Sequence, residues 1–343
     1  VIKSKKLLKH ALGISVLLGM SSASFADIVM NSTGKSVSSA QSWSAEDASR
    51  LLDGDVSPKG STSVTTTLRQ AGTPSPSVAP SSTTVYDTSN YNSQPSVDAR
   101  AALVMDAQTG EVLYSKNVNA ALPMASITKL MTAVVTADAH LNMSENITLQ
   151  QIDFAGAGGK NSSSTLKVGD TMNRAEMLLV ALMKSENPAA AALARTYPGG
   201  RAAFVSAMNA KARQLGMNST HYTESTGLDP RNVASARDLG ILVSSAYQYG
   251  LIRQFSTTAQ YDFDLGYRVL KSNNTNALVR NGGWNINISK TGYINEAGRC
   301  VAMHTTVNSR PAVVVLMGAS TSQARTNDAT NLLNWVSRLP KRI

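Results

Sequence analysis

The order of the patterned segments constrains this chain more than any single motif. Residues 100–117, RAALVMDAQTGEVLYSKN, place two apolar runs around DAQTG, a hairpin signal in which Gly110 can take a positive φ. Near the far end, GWNINISKTG alternates strictly, and RCVAMHTTVN and AVVVLMGAS are joined by the short turn NSRP. These three predict an antiparallel meander. Between the two groups, about 145–250, the pattern is mostly helical. NRAEMLLVALMKSEN and GGRAAFVSAMNAKARQLG, the latter closed by Gly216, are examples, and ASARDLGILVSSAYQYG opens with Ser235 three residues before Asp238. DATNLLNWVSRL predicts a closing helix. Two strands, then helices, then three strands and a helix make an α+β chain. The economical arrangement is a five-stranded antiparallel sheet flanked by helices, formed by 98–118 with 283–338. The opening helix would pack on one face. The helices of about 140–250 would make a separate all-helical lobe, with a cleft between lobe and sheet.

With 343 residues, 42% hydrophobic and 16% charged, the chain can fill a sizeable core. Residues 1–26 read as a secretory signal peptide: Lys3, Lys5, Lys6 and Lys9 lead into the apolar run ALGISVLLGM, and SSASFA ends in a small-x-small site, with cleavage expected after Ala26. The apolar run is too short for a membrane span, so no integral membrane anchor is expected. Residues 27–97 are rich in Ser, Thr and Pro and predict a disordered linker, because they cannot bury enough apolar surface to offset their ordering entropy. The folded domain is expected over 98–343. Loss of the four leader lysines, which no acidic residue accompanies, lowers the formal charge of +10 to +6. A basic exported protein suits an anionic partner such as a membrane surface or a carboxylate-rich wall. No basic run interleaved with aromatics follows the leader, so no nucleic acid is expected. The single cysteine, Cys300, excludes an intrachain disulfide and lies in an apolar stretch, as a core residue would.

The chemistry is concentrated in LPMASITKLMTAVVTADAHL, residues 122–141. Ile127, Leu130, Met131, Val134 and Val135 recur at helical spacing, predicting a buried helix that begins at Ser126. Lys129 lies one turn on, so the two side chains share a face with Cβ atoms roughly 5–6 Å apart. A lysine is almost never buried without a partner. Next to a serine, a desolvated amine is a base for a hydroxyl nucleophile.

Short patterns also recur by chance here. S-x-x-K occurs at Ser126–Lys129 and at Ser164–Lys167, and S-E-N at Ser144–Asn146 and at Ser185–Asn187. Context separates them. Ser164–Lys167 lies in the polar stretch GGKNSSSTLKVGD, and Ser144–Asn146 in a loop where Ser and Asn are ordinary caps. Ser185–Asn187 directly follows the apolar helix EMLLVALMK, and K-T-G at Lys290–Gly292 ends an alternating strand.

The ordered trio Ser126–Lys129, Ser185–Asn187 and Lys290–Gly292 resembles the low-molecular-mass penicillin-binding proteins. So do SENPAAAALARTYPGGRAAFVSAMNAKARQLGMNSTHY, STGLDPRNVASARDL and GWNINISKTGYINEAGRC, which are most similar to the D-alanyl-D-alanine endopeptidase subgroup. The likeness spans about 98–338. It implies a periplasmic serine peptidase acting on peptidoglycan stem peptides and cross-links through an acyl-enzyme on Ser126, with β-lactam antibiotics as acylating inhibitors. Lys129 would be the general base. Ser185 would relay the proton to the leaving nitrogen, and Asn187 would hold the substrate amide. Lys290 and Thr291 would meet a substrate carboxylate. Gly292 would leave room for substrate along the strand. The backbone N–H groups of Ser126 and Tyr293 would form the oxyanion hole. Arg325, ten residues before Trp335, has the spacing of a carboxylate-binding arginine in related carboxypeptidases; a solvated arginine before the last helix is the other reading.

Alternatives within the same motifs are a D-alanyl-D-alanine carboxypeptidase and a penicillin-binding sensor that acylates without turnover. A β-lactamase ranks below them, since no extra carboxylate base can be assigned. No H-E-x-x-H or G-x-S-x-G occurs, and His140, His221 and His304 read as structural. No cofactor and no metal are implied.

Overall fold

The computed structural model of the chain describes residues 93–156 and 163–340. The predicted leader 1–26 and all of the predicted linker up to residue 92 lie outside the described residues. Val97 and Ala99 are already buried, and the carboxylate of Asp328 accepts from the N–H groups of Asp98 (3.0 Å) and Ala99 (2.9 Å).

Strands β1 (Ala101–Asp106) and β2 (Val112–Lys116) form the expected hairpin, and Gly110 has φ 75°. The meander is β9 (Asn285–Ile294), β10 (Gly298–Val307) and β11 (Arg310–Ala319). The sheet order is β2-β1-β11-β10-β9, antiparallel throughout, with Val104 opposite Val314 where hairpin and meander join. β11 is an unbroken apolar run because both sheet faces are covered. Val313, Val315 and Met317 face one core and Ala312, Val314 and Leu316 the other. Helix α8 (Ser322–Arg338) covers the second face with Leu332, Leu333, Trp335 and Val336. It starts six residues before the predicted DATNLL, at an N-cap where Thr321 Oγ1 accepts from Ala324 N (2.9 Å). Helix α5 (Ala236–Ala246) lies against β1, β10 and β11 on the first face; its Ser235 cap accepts from Asp238 N.

The opening helix shares a core with the first face of the sheet, but most of its neighbours are helices. A 3-10 turn, Ala125–Ile127, leads into α1 (Thr128–Asp138), and every residue from Thr128 to Ala137 is buried. The segment has no polar face to give to solvent, so it needs cover all round. It runs through the helical lobe against α2 (Arg174–Met183), α3 (Asn187–Arg195), α4 (Gly200–Gln214) and α5. Its leading turn makes the close contact with β9 and β10. Helix α6 (Gly250–Thr257) covers β9, and the short α7 (Ala277–Asn281) precedes that strand.

Three small strand pairs escaped the sequence reading. They are β3 (Leu122–Pro123) with β6 (Val233–Ala234), β4 (Asn146–Thr148) with β5 (Thr171–Asn173), and β7 (Gln260–Asp264) with β8 (Val269–Asn273). Strand β9 also departs from its pattern. Its polar positions Ser289, Lys290 and Thr291 are as buried as Ile288. They line the seam between sheet and helical lobe. Among the described residues, no helix is long and apolar enough to cross a membrane.

Candidate active site

The seam holds both predicted lysines, and neither is exposed. Lys129 Nζ lies 2.9 Å from Ser126 Oγ, 2.6 Å from Asn187 Oδ1 and 2.7 Å from the Thr226 carbonyl. Burial drops its pKa to about 7, while the carboxylates of Glu224 and Glu186 pull the other way. The difference from an ordinary lysine disfavours the ammonium by roughly 5 kcal/mol. Burial is therefore the first cause of the depression. Lys290 Nζ donates to Ser185 Oγ (2.8 Å) and to the Thr291 carbonyl (2.9 Å). It is pushed well below the usual lysine range by burial, then by Lys129 and Arg325. Thr291 Oγ1 donates to Thr275 Oγ1 (2.6 Å). The structure thus gathers Ser126, Lys129, Ser185, Asn187, Lys290 and Thr291 from a turn, a helix start and a strand far apart in sequence.

Two of the serines follow or occupy unusual backbone. Ala125, just before Ser126, has φ 48°, and Ser185 itself has φ 67°. Each conformation costs roughly 1–2 kcal/mol in an L-residue and persists only where packing enforces it. The enforcing contact at Ala125 is the loop 223–232. A Cβ on Gly227, φ 85°, would lie 1.9 Å from the Ala125 carbonyl oxygen, so only glycine fits. Met124 N donates to Asn232 O (3.0 Å), Asn232 Nδ2 to Thr128 Oγ1 (3.1 Å) and Thr132 Oγ1 to Ser225 O (2.7 Å). The Glu224 carboxylate accepts from Thr226 N (2.5 Å) and Gly227 N (2.6 Å), which sets the carbonyl of Thr226 facing Lys129. On the other side, a Cβ on Gly292 would stand 3.0 Å from Ser126 N and 3.1 Å from Met124 O. Gly292 therefore lets β9 close against the serine turn, a packing reason beside the expected room for substrate.

Tyr293 follows on β9, opposite Arg299. Its ring is half exposed, with Arg299 stacked on it at 3.4 Å and its hydroxyl donating to Asn295 Oδ1 (2.7 Å). Arg325, on the first turn of α8, is 9% exposed, which removes the solvated reading. No carboxylate among the described residues pairs with it. Burial and the charges of Arg299 and Arg280 lower its pKa. The guanidinium groups of Arg325 and Arg299 put positive charge on the sheet side of the seam.

Sequence reasoning missed Thr226, Glu224 and Glu186. The Glu186 carboxylate accepts from Ser164 Oγ (2.5 Å) and Thr165 Oγ1 (2.7 Å), holding the loop of the second S-x-x-K against the site. Glutamate inside S-E-N was the available signal. Cys300 is buried on β10, opposite Gly292, and His304 stacks on Tyr247 with its pKa lowered to about 4 by burial. Neither enters the seam's hydrogen-bond network.

Known proteins fit this geometry. The chain is 46% identical over 243 residues to the D-alanyl-D-alanine endopeptidase of Pseudomonas aeruginosa, covering 69% of this chain and 76% of that protein. It is 42% identical over 247 residues to the D-alanyl-D-alanine endopeptidase of Escherichia coli, covering 71% and 79%. The crystal structure of a Streptomyces DD-transpeptidase superposes with a TM-score of 0.65 at 28% identity, over 71% of this chain and 98% of that one. The profile of one peptidase family, described as D-alanyl-D-alanine carboxypeptidase, matches residues 88–321, and with the fold and relatives in agreement the chain belongs to that family.

Proposed function

We propose that this chain is a serine D-alanyl-D-alanine endopeptidase that opens peptidoglycan cross-links through an ester on Ser126. The carrying observation is the environment of Lys129 Nζ. Asn187 Oδ1 and the Thr226 carbonyl accept the two protons of a neutral amine, which leaves its lone pair for the Ser126 hydroxyl. Burial supplies the neutral form near physiological pH. Ser126 Oγ attacks the carbonyl carbon of the penultimate D-alanine as its proton passes to Lys129. The N–H groups of Ser126 and Tyr293 stabilise the oxyanion. The C–N bond then breaks, the leaving amine taking a proton through Ser185, and water hydrolyses the ester to regenerate the serine. The substrate amide lies on Asn187. The carboxylate on the leaving amino acid meets Lys290, Thr291 and Arg325, whose guanidinium is buried and pairs with no carboxylate among the described residues, which supports that role. A β-lactam carries a carboxylate and a strained amide in the same relation and acylates the same serine.

Cross-link hydrolysis is preferred over carboxypeptidase action because two relatives at 46% and 42% identity are named endopeptidases. Mass analysis of purified cross-linked muropeptides distinguishes the two: monomers are expected, whereas loss of a single terminal alanine would establish the carboxypeptidase. We also propose export to the periplasm, with residues 1–26 removed after Ala26 and the Ser/Thr/Pro-rich segment that follows, up to the buried Val97, giving reach into the wall. An intact mass beginning at Asp27 in a periplasmic extract checks the export step.

A further inference from the structure

Arg299 is a cation that none of the chemistry above uses. It sits on β10 opposite Tyr293, and its guanidinium lies over the Tyr293 ring, 3.4 Å from the ring centre. The ring is itself pinned, its hydroxyl donating to Asn295 Oδ1 (2.7 Å). Stacking occupies the face of a guanidinium and leaves the N–H groups around its edge for other partners. Among the described residues no acceptor bonds those N–H groups and no carboxylate forms an ion pair with them, although the side chain is only partly exposed.

The strand register places this pair relative to the site. Thr291 lies opposite Val301 and Tyr293 opposite Arg299, and Val301 belongs to the core under α8. Thr291, Tyr293 and Arg299 therefore share the sheet face that α8 covers, and Arg325 stands on the first turn of that helix. Tyr293 is two residues beyond Thr291, about 7 Å further along the strand. The charge of Arg325 reaches Lys290, and the charge of Arg299 reaches Arg325, so the three make a series of basic groups leading outward from the seam.

We propose that Arg299, held on the Tyr293 ring, binds a second carboxylate on the leaving peptide and so favours a cross-link over a terminal alanine. This rests on the D-alanyl-D-alanine reading and deepens it. A leaving D-alanine carries one carboxylate, which Lys290, Thr291 and Arg325 take. A diamino diacid, joined to the donor D-alanine through one amine, carries another at the far end of a short methylene chain, on the scale of the step from Thr291 to Tyr293. A guanidinium already fixed on a ring can meet that carboxylate through two parallel N–H···O bonds with little further ordering.

The test uses the whole protein and three synthetic substrates with the same donor peptide ending in D-alanine. The leaving group is D-alanine, the diamino diacid with both carboxylates free, or the same diacid with its far carboxylate amidated. In wild type the free diacid should exceed the far amide in kcat/KM by about tenfold. That ratio should fall to about one in Arg299→Gln. It should persist in Arg310→Gln, which removes a charge at the other end of the β10–β11 pair. The ratio of far amide to D-alanine, in which no second carboxylate takes part, should be the same in wild type and Arg299→Gln. Each ratio is read within one variant, so partial loss of folded protein cancels. The assignment is overturned by a diacid preference absent from wild type or surviving Arg299→Gln, or by an equal collapse in Arg310→Gln. A shift of the far-amide to D-alanine ratio in Arg299→Gln would overturn it too, since the arginine would then act through the fold. Acylation of wild-type Ser126 by a fluorescent penicillin is measured alongside. Its failure would sink the catalytic reading, whereas normal acylation with equal rates for acid and amide would sink the role of Arg299 alone.

Discussion

Ser126–Lys129 and Ser164–Lys167 carry the same four-residue pattern, and the fold treats them in opposite ways. Lys129 is wholly buried and bonded to its serine; Lys167 is exposed, and Ser164 Oγ donates instead to Glu186. The first pair sits on a turn locked by Gly227 and Gly292 and continues into a helix buried all round. The second sits on a loop whose serine helps to anchor S-E-N. Spacing alone does not make a base. Removal of water from the amine does, and only the first lysine has it.

The largest separation between the two sites is expected from the hydroxyls. Ser126→Ala should abolish penicillin labelling, a loss of about 10⁴-fold or more, while Ser164→Ala labels. Labelled Ser126→Ala protein would show that the nucleophile lies elsewhere. Next comes the base. Lys129→Arg keeps a cation but cannot accept a proton near neutrality, and acylation should fall by about 10³-fold; Lys167→Arg should acylate like wild type. Equal rates in the two arginine variants would erase the distinction.

The pH profile follows in size. With the folded pKa of Lys129 near 7, the acylation rate should fall about tenfold per pH unit below that value and level off above it. The sign for stability is fixed by the same shift. Between about 7 and 10.5 the unfolded lysine holds a proton that the folded one has lost, so this group's contribution rises with pH across that window. Arg325→Ala should cost carboxylate-bearing substrates roughly 10–100-fold, and amidated ones much less. Equal losses would remove Arg325 from the site. The smallest effect is that of Ser164→Ala, which deletes one hydrogen bond to Glu186, worth about 1 kcal/mol. Its acylation rate should stay within about fivefold of wild type, as checked by stopped-flow fluorescence.

Much of the fold was legible because its signals are local. The hairpin turn at Gly110, the Ser235 cap and the two-faced apolar run of β11 each follow from a few neighbouring residues. The all-round burial of α1 was also implicit in its lack of a polar face, whereas helical periodicity alone marks a single buried face. The site was legible as three triplets and illegible in what holds them. Positive φ at Ala125 and Ser185 has no sequence signal, since neither residue favours it and contacts distant in sequence impose it. The Thr226 carbonyl is a backbone group, invisible to any pattern of side chains. That Ser289 and Thr291 of β9 are as covered as its apolar positions is set by the helical lobe, which alternation within the strand does not report.

Everything turns on the charge of one amine, which a direct titration can read. With isotopically labelled lysine, the Lys129 resonance of the unliganded wild-type protein, assigned through its loss in Lys129→Arg, should titrate near 7. An ammonium that persists to the ordinary lysine range, about 10.4, would contradict a neutral base facing Ser126.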